Sequence, residues 1–187
     1  SEGNLQFREQ FGSSGDDSGL GIKVDSKDNV YITGFTEGGL DGNTNSGKQD
    51  IFLVKFNSSG AKLWTKQLGT PFDDSANGLA IDLSDNIYVT GYTEGNMYTY
   101  SGGKDVFVVK YNSSGTKQWT RQFGAPSFSQ KSLYNSSSQM VSSEDEGKKV
   151  SIDSTGNIYL TGNTQGVLDG NSNSGKEDIF LIKYKSM

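Results

Sequence analysis

Three copies of one short pattern constrain this chain more than any other feature. The run Asn29-Val30-Tyr31-Ile32-Thr33-Gly34 returns as Asn86-Ile87-Tyr88-Val89-Thr90-Gly91 and again as Asn157-Ile158-Tyr159-Leu160-Thr161-Gly162. After each copy comes a second run: Asp50-Ile51-Phe52-Leu53-Val54-Lys55-Phe56, Asp105-Val106-Phe107-Val108-Val109-Lys110-Tyr111 and Asp178-Ile179-Phe180-Leu181-Ile182-Lys183-Tyr184. Before each copy stands an apolar-Asp pair, Val24-Asp25, Ile81-Asp82 and Ile152-Asp153. A fourth run, Trp64-Thr65-Lys66-Gln67-Leu68-Gly69, is repeated as Trp119-Thr120-Arg121-Gln122-Phe123-Gly124. Its third copy, Phe7-Arg8-Glu9-Gln10-Phe11-Gly12, stands near the opposite end of the chain. A period of roughly 55 residues is too long for one coil of a β-solenoid, which needs roughly 20–29.

Each repeat reads as four strand segments, A to D. Asn-Ser-Ser-Gly turns at Asn57 and Asn112 join C to D, and Asn and Gly tolerate the positive φ of tight hairpins. The C segments are apolar at successive positions, which fits a sheet covered on both faces; a two-layer sandwich would alternate more cleanly. The reading is therefore all-β: a β-propeller built from three four-stranded antiparallel blades per chain. The blades fall at about 13–69, 70–124 and 125–187, with residues 4–12 as an offset D strand in a single propeller unit.

Composition agrees. The hydrophobic share is only 32%, against roughly 45–50% in an average domain, but the apolar residues cluster in the strand segments instead of being dispersed. A net charge of -5 argues against nonspecific nucleic-acid binding, which needs a basic surface. The absence of Cys and His excludes disulfides and thiolate or imidazole metal sites. No apolar run approaches the roughly 20 residues of a transmembrane helix. No leader pattern is visible, and a start at Ser1 fits either a leader already removed or a chain cut at that point.

The apolar-Asp pair, the Tyr-x-x-Gly strand, the Asp-apolar-Phe-apolar-x-Lys-Tyr strand and the closing Trp-x-x-Gln-x-Gly strand resemble the SBBP family, the bacterial β-propeller repeats. The Asn-Ser-Ser-Gly turns and Leu-Asp-Gly-Asn-x-Asn-Ser-Gly loops are most similar to Leptospira-type copies. The resemblance implies a propeller fold and export or surface display; it carries no catalytic motif. The third copy departs from the pattern, with Pro126-Ser127 where the second has Pro71-Phe72-Asp73-Asp74.

The strand order D-ABCD-ABCD-ABC is offset, with a D segment first and a C segment last. Two chains would complete each other head to tail as six blades, residues 4–12 of one pairing with residues 178–184 of the other; otherwise the three blades are part of a larger propeller. The interface residues expected on this reading are Phe7, Phe11, Phe180 and Ile182.

Four sets of residues are candidate sites. The B–C loops place oxygen donors on alternate residues: Asp41, Asn43 and Asn45 leading to Asp50, and Asp169, Asn171 and Asn173 leading to Asp178. Calcium takes six to eight oxygens, which makes it the one ion to consider as a cofactor; the competing reading is a polar turn bonding its own backbone. The second copy lacks these donors. Asp25, Asp82 and Asp153, with Asp50, Asp105 and Asp178, recur in every repeat, which suits turn capping more than a singular acid–base site. The extra length of the third repeat, near Ala125 to Gly147, breaks the symmetry and offers Phe128, Tyr134 and Met140 for ligand binding, with the unrepeated carboxylates Glu144-Asp145-Glu146. Trp64, Trp119, Phe7, Tyr31, Tyr88 and Tyr159 suit either stacking on sugars or packing between blades.

The leading functional reading is a non-catalytic, secreted or surface-exposed bacterial binding or scaffold module that self-associates, with a protein or glycan as ligand. The alternatives are a lectin-like propeller, a carboxylate-dependent enzyme such as a glycosidase, and a self-assembling structural protein.

Overall fold

The structure, a computed structural model, describes residues 3–99, 102–126, 128–131, 138–168 and 170–185, and only the backbone path of 128–131 and 138–141. The described residues form thirteen strands and no helix. In chain order they are β1 (Asp17–Val24), β2 (Val30–Thr36), β3 (Asp50–Phe56), β4 (Lys62–Leu68), β5 (Asp74–Ile81), β6 (Ile87–Thr93), β7 (Gly103–Tyr111), β8 (Lys117–Phe123), β9 (Phe128–Lys131), β10 (Ser138–Val141), β11 (Ser143–Ile152), β12 (Ile158–Thr164) and β13 (Asp178–Tyr184). The A to D segments of the repeat thus become antiparallel neighbours: β1 to β4 in a first sheet, β5 to β8 in a second, and β11 to β13 in a third. A short parallel contact, Ser143 with Gly103 and Glu144 with Lys104, joins the third sheet to the second.

Each A strand shifts register opposite the Gly of the Tyr-x-x-Gly run, between Gly19 and Gly21, Ala76 and Gly78, and Gly147 and Lys149. The glycine is required there. A Cβ on Gly34, Gly91 or Gly162 would run into the carbonyl of Ser18, Ser75 or Glu146 on the bulged neighbour.

The sheets stack face to face. The back of the first sheet (Tyr31, Ile51, Leu53) packs on the front of the second (Leu79, Ile87, Val89, Phe107, Val109). The back of the second (Tyr88, Val106, Val108) packs on the front of the third (Val150, Ile158, Leu160, Phe180). Cover on both faces explains why every residue of β3 is buried and why the C segments read as continuous apolar runs. Asn77 ties the second seam with hydrogen bonds to the Glu146 side chain and the Gly147 carbonyl.

Residues 4–12, expected as a D strand, form no strand in this chain. They still lie where a preceding D strand would lie. Phe11 packs on Phe52 and Phe56 at centroid distances of 6.1 and 5.4 Å, and its counterpart Phe123 packs on Phe180 and Tyr184 at 6.1 and 6.5 Å. The Phe7 ring lies against the Gly60 turn as Trp64 lies against Gly115. A D strand needs a C strand alongside to complete its ladder, and no described residue supplies one.

The extra length of the third repeat contains the β9–β10 hairpin. Its last part, Ser143 to Gly147, is not loop but the start of β11.

Candidate functional site

The repeated polar residues form a skeleton built from local turns. Asp25 accepts hydrogen bonds from the Lys27 and Asn29 amides, from Asn29 Nδ2 and from the Tyr31 hydroxyl at 3.0 Å. Asp82 and Asp153 do the same for Asn86 and Tyr88, and for Asn157 and Tyr159. Burial pushes the Asp25 pKa up, but the donors from Asn29, Lys27 and Tyr31 outweigh it and hold it at about 2. In Asp153 the Asn157 side chain is the main influence, again downward. These carboxylates are saturated by their own turns, which gives them a structural task in every repeat.

A second element locks each D strand. Gln67 donates to Asp50 Oδ2 at 3.0 Å and to the Gly38 carbonyl, and accepts from the Leu40 amide. Gln122 repeats this with Asp105, Gly95 and Met97. In the third sheet the matching Gly166, Leu168 and Asp178 line a cavity of about 310 Å³. Phe180 and Ile182, expected at an interface between chains, face the second sheet inside this chain; Phe180 is buried. Side chains alternate along a strand, so the outward pair on β13 is Ile179 and Leu181, 84% and 75% exposed.

A third element was not recognised in the sequence. Asp17, Asp74 and Asp145 pin the chain where it passes from one sheet to the next, accepting from the amides of Ser13, Thr70 and Ala125 at 2.6, 2.5 and 2.6 Å. Asp145 therefore belongs to a repeated set, and its likeness to Asp74 was hidden by the residues inserted after Pro126. Asp50, Asp74 and Asp145 are fully buried, each with an Oδ1 that has no hydrogen-bond partner. Burial raises the Asp74 pKa to about 6, opposed by hydrogen bonds from Thr93 and Thr70 and reinforced by the Asp50 charge. No substrate reaches carboxylates enclosed in this way.

The loop residues considered for calcium are spread among local partners. Asp41 receives Lys62 at 2.7 Å and the Thr65 hydroxyl, and the Lys62 bond is the main reason its pKa is lowered. Asn43 donates to the Leu40 carbonyl, Asn45 accepts from the Gly47 amide, and Asp50 accepts from the Ser46 amide. In the third repeat Asn171 donates to Leu168, Asn173 accepts from Gly175 and Asp178 accepts from Ser174; Asp169 lies outside the described residues. Among the described residues no group of three or more acidic side chains is placed to hold a metal ion. Of the insertion residues, Phe128 lies on β9 and Met140 on β10; their side chains, and Tyr134 entirely, lie outside the described residues. Tyr31 and Tyr88 are buried edge-on against Trp64 and Trp119 at 5.9 and 6.1 Å, so these aromatics pack between strands and sheets.

Residues 63–98 and 141–169, which carry the D-to-A passage with Asp74 and the A and B strands beginning near Asp145, match the family described as a β-propeller repeat, SBBP. The chain thus carries two matches to the SBBP β-propeller repeat. It is 24% identical over 219 residues to an uncharacterized WD repeat-containing protein of Acanthamoeba polyphaga mimivirus, covering 95% of this chain and 15% of that protein. It is 26% identical over 174 residues to the regulatory protein FlaEY of Caulobacter vibrioides, covering 83% of this chain and 17% of that one. The chain thus spans less than a fifth of the length of these curated relatives.

The faces at the two ends of the stack are open in part. Ile22 is 65% exposed, whereas its repeat counterparts Leu79 and Val150 are buried in the seams. Leu181 is exposed, whereas its counterparts Leu53 and Val108 are buried. On the front of the first sheet Phe52, Val54 and Phe56 are buried with Leu40 and packed by Phe11, so that face is open mainly along β1.

Proposed function

We propose that this chain is a non-catalytic scaffold and binding module, exported or displayed at a bacterial surface, whose three sheets act as propeller blades and which self-associates head to tail. One observation carries the reading: Ile22 on the front of the first sheet and Leu181 on the back of the third are exposed, while their repeat counterparts are buried in the seams inside the chain. Exposed apolar patches rimmed by polar residues mark association sites. Docking the front of one copy on the back of another repeats a contact the sequence already makes twice, and two such contacts between two copies would give six blades. In that arrangement residues 7–11 run beside β13 in the register that β4 holds on β3, placing Gln10 in the cavity beside Asp178. A curated relative described as WD repeat-containing is in keeping with an interaction module.

Sedimentation velocity of the 187-residue chain across micromolar concentrations tests this. The expected result is a species with the mass of two chains, reduced to one chain by Ile22→Lys or Leu181→Glu. Both residues are exposed, so these variants keep the fold of a single chain. A monomer throughout that range overturns the self-association.

A further inference from the structure

The turn between the first two strands of each sheet carries one residue at positive φ: Asp28 at 59°, Asp85 at 59° and Gly156 at 83°. In the seam between the first and second sheets, Asp85 reaches across to the first sheet's turn. Its carboxylate accepts from the Ser26 amide at 3.3 Å and the Ser26 hydroxyl at 3.1 Å, with Lys27 Nζ at 3.8 Å. In the same seam Lys55 stands 3.5 Å from Asp25. The positive charge of this seam is answered by carboxylates from the chain itself.

The next seam is built differently. Gly156 occupies the position of Asp85, so the third sheet's turn brings no carboxylate at this place. A cleft of about 450 Å³ opens there, between Gly156 and Tyr184 on one side and Tyr88, Lys110, Trp119 and Arg121 on the other. Among the described residues Lys110 and Lys185 line it together with Arg121, and the one carboxylate is Asp82. Asp82 is already committed to the amides of Ser84 and Asn86, the Asn86 side chain and the Tyr88 hydroxyl. Lys110 Nζ lies 5.2 Å above the Tyr88 ring, and no carboxylate among the described residues pairs with it as Asp25 pairs with Lys55. The Arg121 guanidinium lies 5.8 Å from the Trp119 ring and 5.3 Å from that of Tyr184.

We infer that this cleft binds a carboxylate-bearing sugar, its carboxylate taking the place that Asp85 fills in the preceding seam and its ring lying against Trp119 and Tyr184. The volume is that of a small-ligand site, in the range of roughly 300–1,000 Å³. Lys110 and Lys185 supply charge-assisted bonds and the aromatic faces supply stacking area with polar edges. A sugar is favoured over an acidic peptide because aromatic faces and cations share one cleft. This inference goes beyond the scaffold reading and does not depend on self-association.

Calorimetric titration of the chain with trigalacturonate tests it, with maltotriose and a tri-aspartate peptide as controls. Trigalacturonate is expected to bind about tenfold or more tightly than either control, and to weaken as salt is raised. Gly156→Asp rebuilds the missing carboxylate at a backbone position where Asp28 and Asp85 already stand, so the fold should be retained. Its expected effect is about a tenfold loss of trigalacturonate affinity, with the sedimenting mass unchanged. Lys110→Gln, on the second sheet, should also weaken binding. No binding by the unaltered chain, equal binding by Gly156→Asp, or tri-aspartate binding as tightly as the uronate would each overturn the inference. Loss of self-association with uronate binding intact would count against the scaffold reading alone.

Discussion

Asp74 offers the sharpest test of the seams, because it is a buried acid at the passage from the first sheet to the second. Its carboxyl is fully buried, one oxygen has no partner, and the Asp50 charge is close enough to oppose its ionisation. Its pKa rises from 3.8 to about 6 in the fold. An acid with a higher pKa in the folded state binds its proton more tightly when folded. The stability it confers is full below about pH 4 and is lost as pH rises through about 6. At about 1.4 kcal/mol per unit, the shift corresponds to roughly 3 kcal/mol lost between those limits. Asp74→Asn keeps an acceptor for the Thr70 amide and cannot ionise. The variant should match the unaltered chain near pH 4 and exceed it by up to roughly 3 kcal/mol at pH 7.5. Urea unfolding of both proteins at equal concentration, from pH 4 to 8, gives the difference directly, and the other carboxylates cancel in it. A difference that does not change with pH, or a variant less stable than the unaltered chain at pH 7.5, would refute the reasoning.

Four further outcomes are expected. Tyr31→Phe removes the buried donor to Asp25 and should cost about 2 kcal/mol in chemical denaturation, the usual loss for a hydrogen bond to a charged group; an unchanged midpoint would show that the bond contributes nothing. Gly91→Ala drives a Cβ into the Ser75 carbonyl and should cost about 3 kcal/mol or more by thermal unfolding, whereas Gly175→Ala, with open space around it, should be nearly neutral. Asp41→Ala breaks a half-exposed ion pair with Lys62 and should cost less than about 1 kcal/mol. Millimolar calcium should leave the melting temperature of the unaltered chain in place, and a clear rise on adding calcium, reversed by a chelator, would make these loops metal sites.

Much of the local structure could be read directly from the residues. Short apolar runs punctuated by Asn, Asp, Ser and Gly can satisfy their backbone only as strands joined by tight turns, and the repeated order of four such runs dictated four neighbouring strands. The caps at Asp25, Asp82 and Asp153 were equally legible, because their partners lie two to six residues away. The pin at Asp145 was not. Its partner Ala125 is 20 residues distant, and the insertion separates it from the Pro126 that marks its place in the repeat.

Which face of a strand is covered also lay beyond the sequence. A period of two says that Phe180 and Ile182 share one side and Ile179 and Leu181 the other. Both sides are apolar, so hydrophobicity cannot choose between them. Only the stacking of the third sheet on the second decides that Phe180 is core and that Ile179 and Leu181 stay outside. The cleft at Gly156 was hidden for the same reason. Asp85 and Gly156 both read as ordinary turn residues, and the carboxylate that one brings and the other withholds matters only once two sheets are laid together.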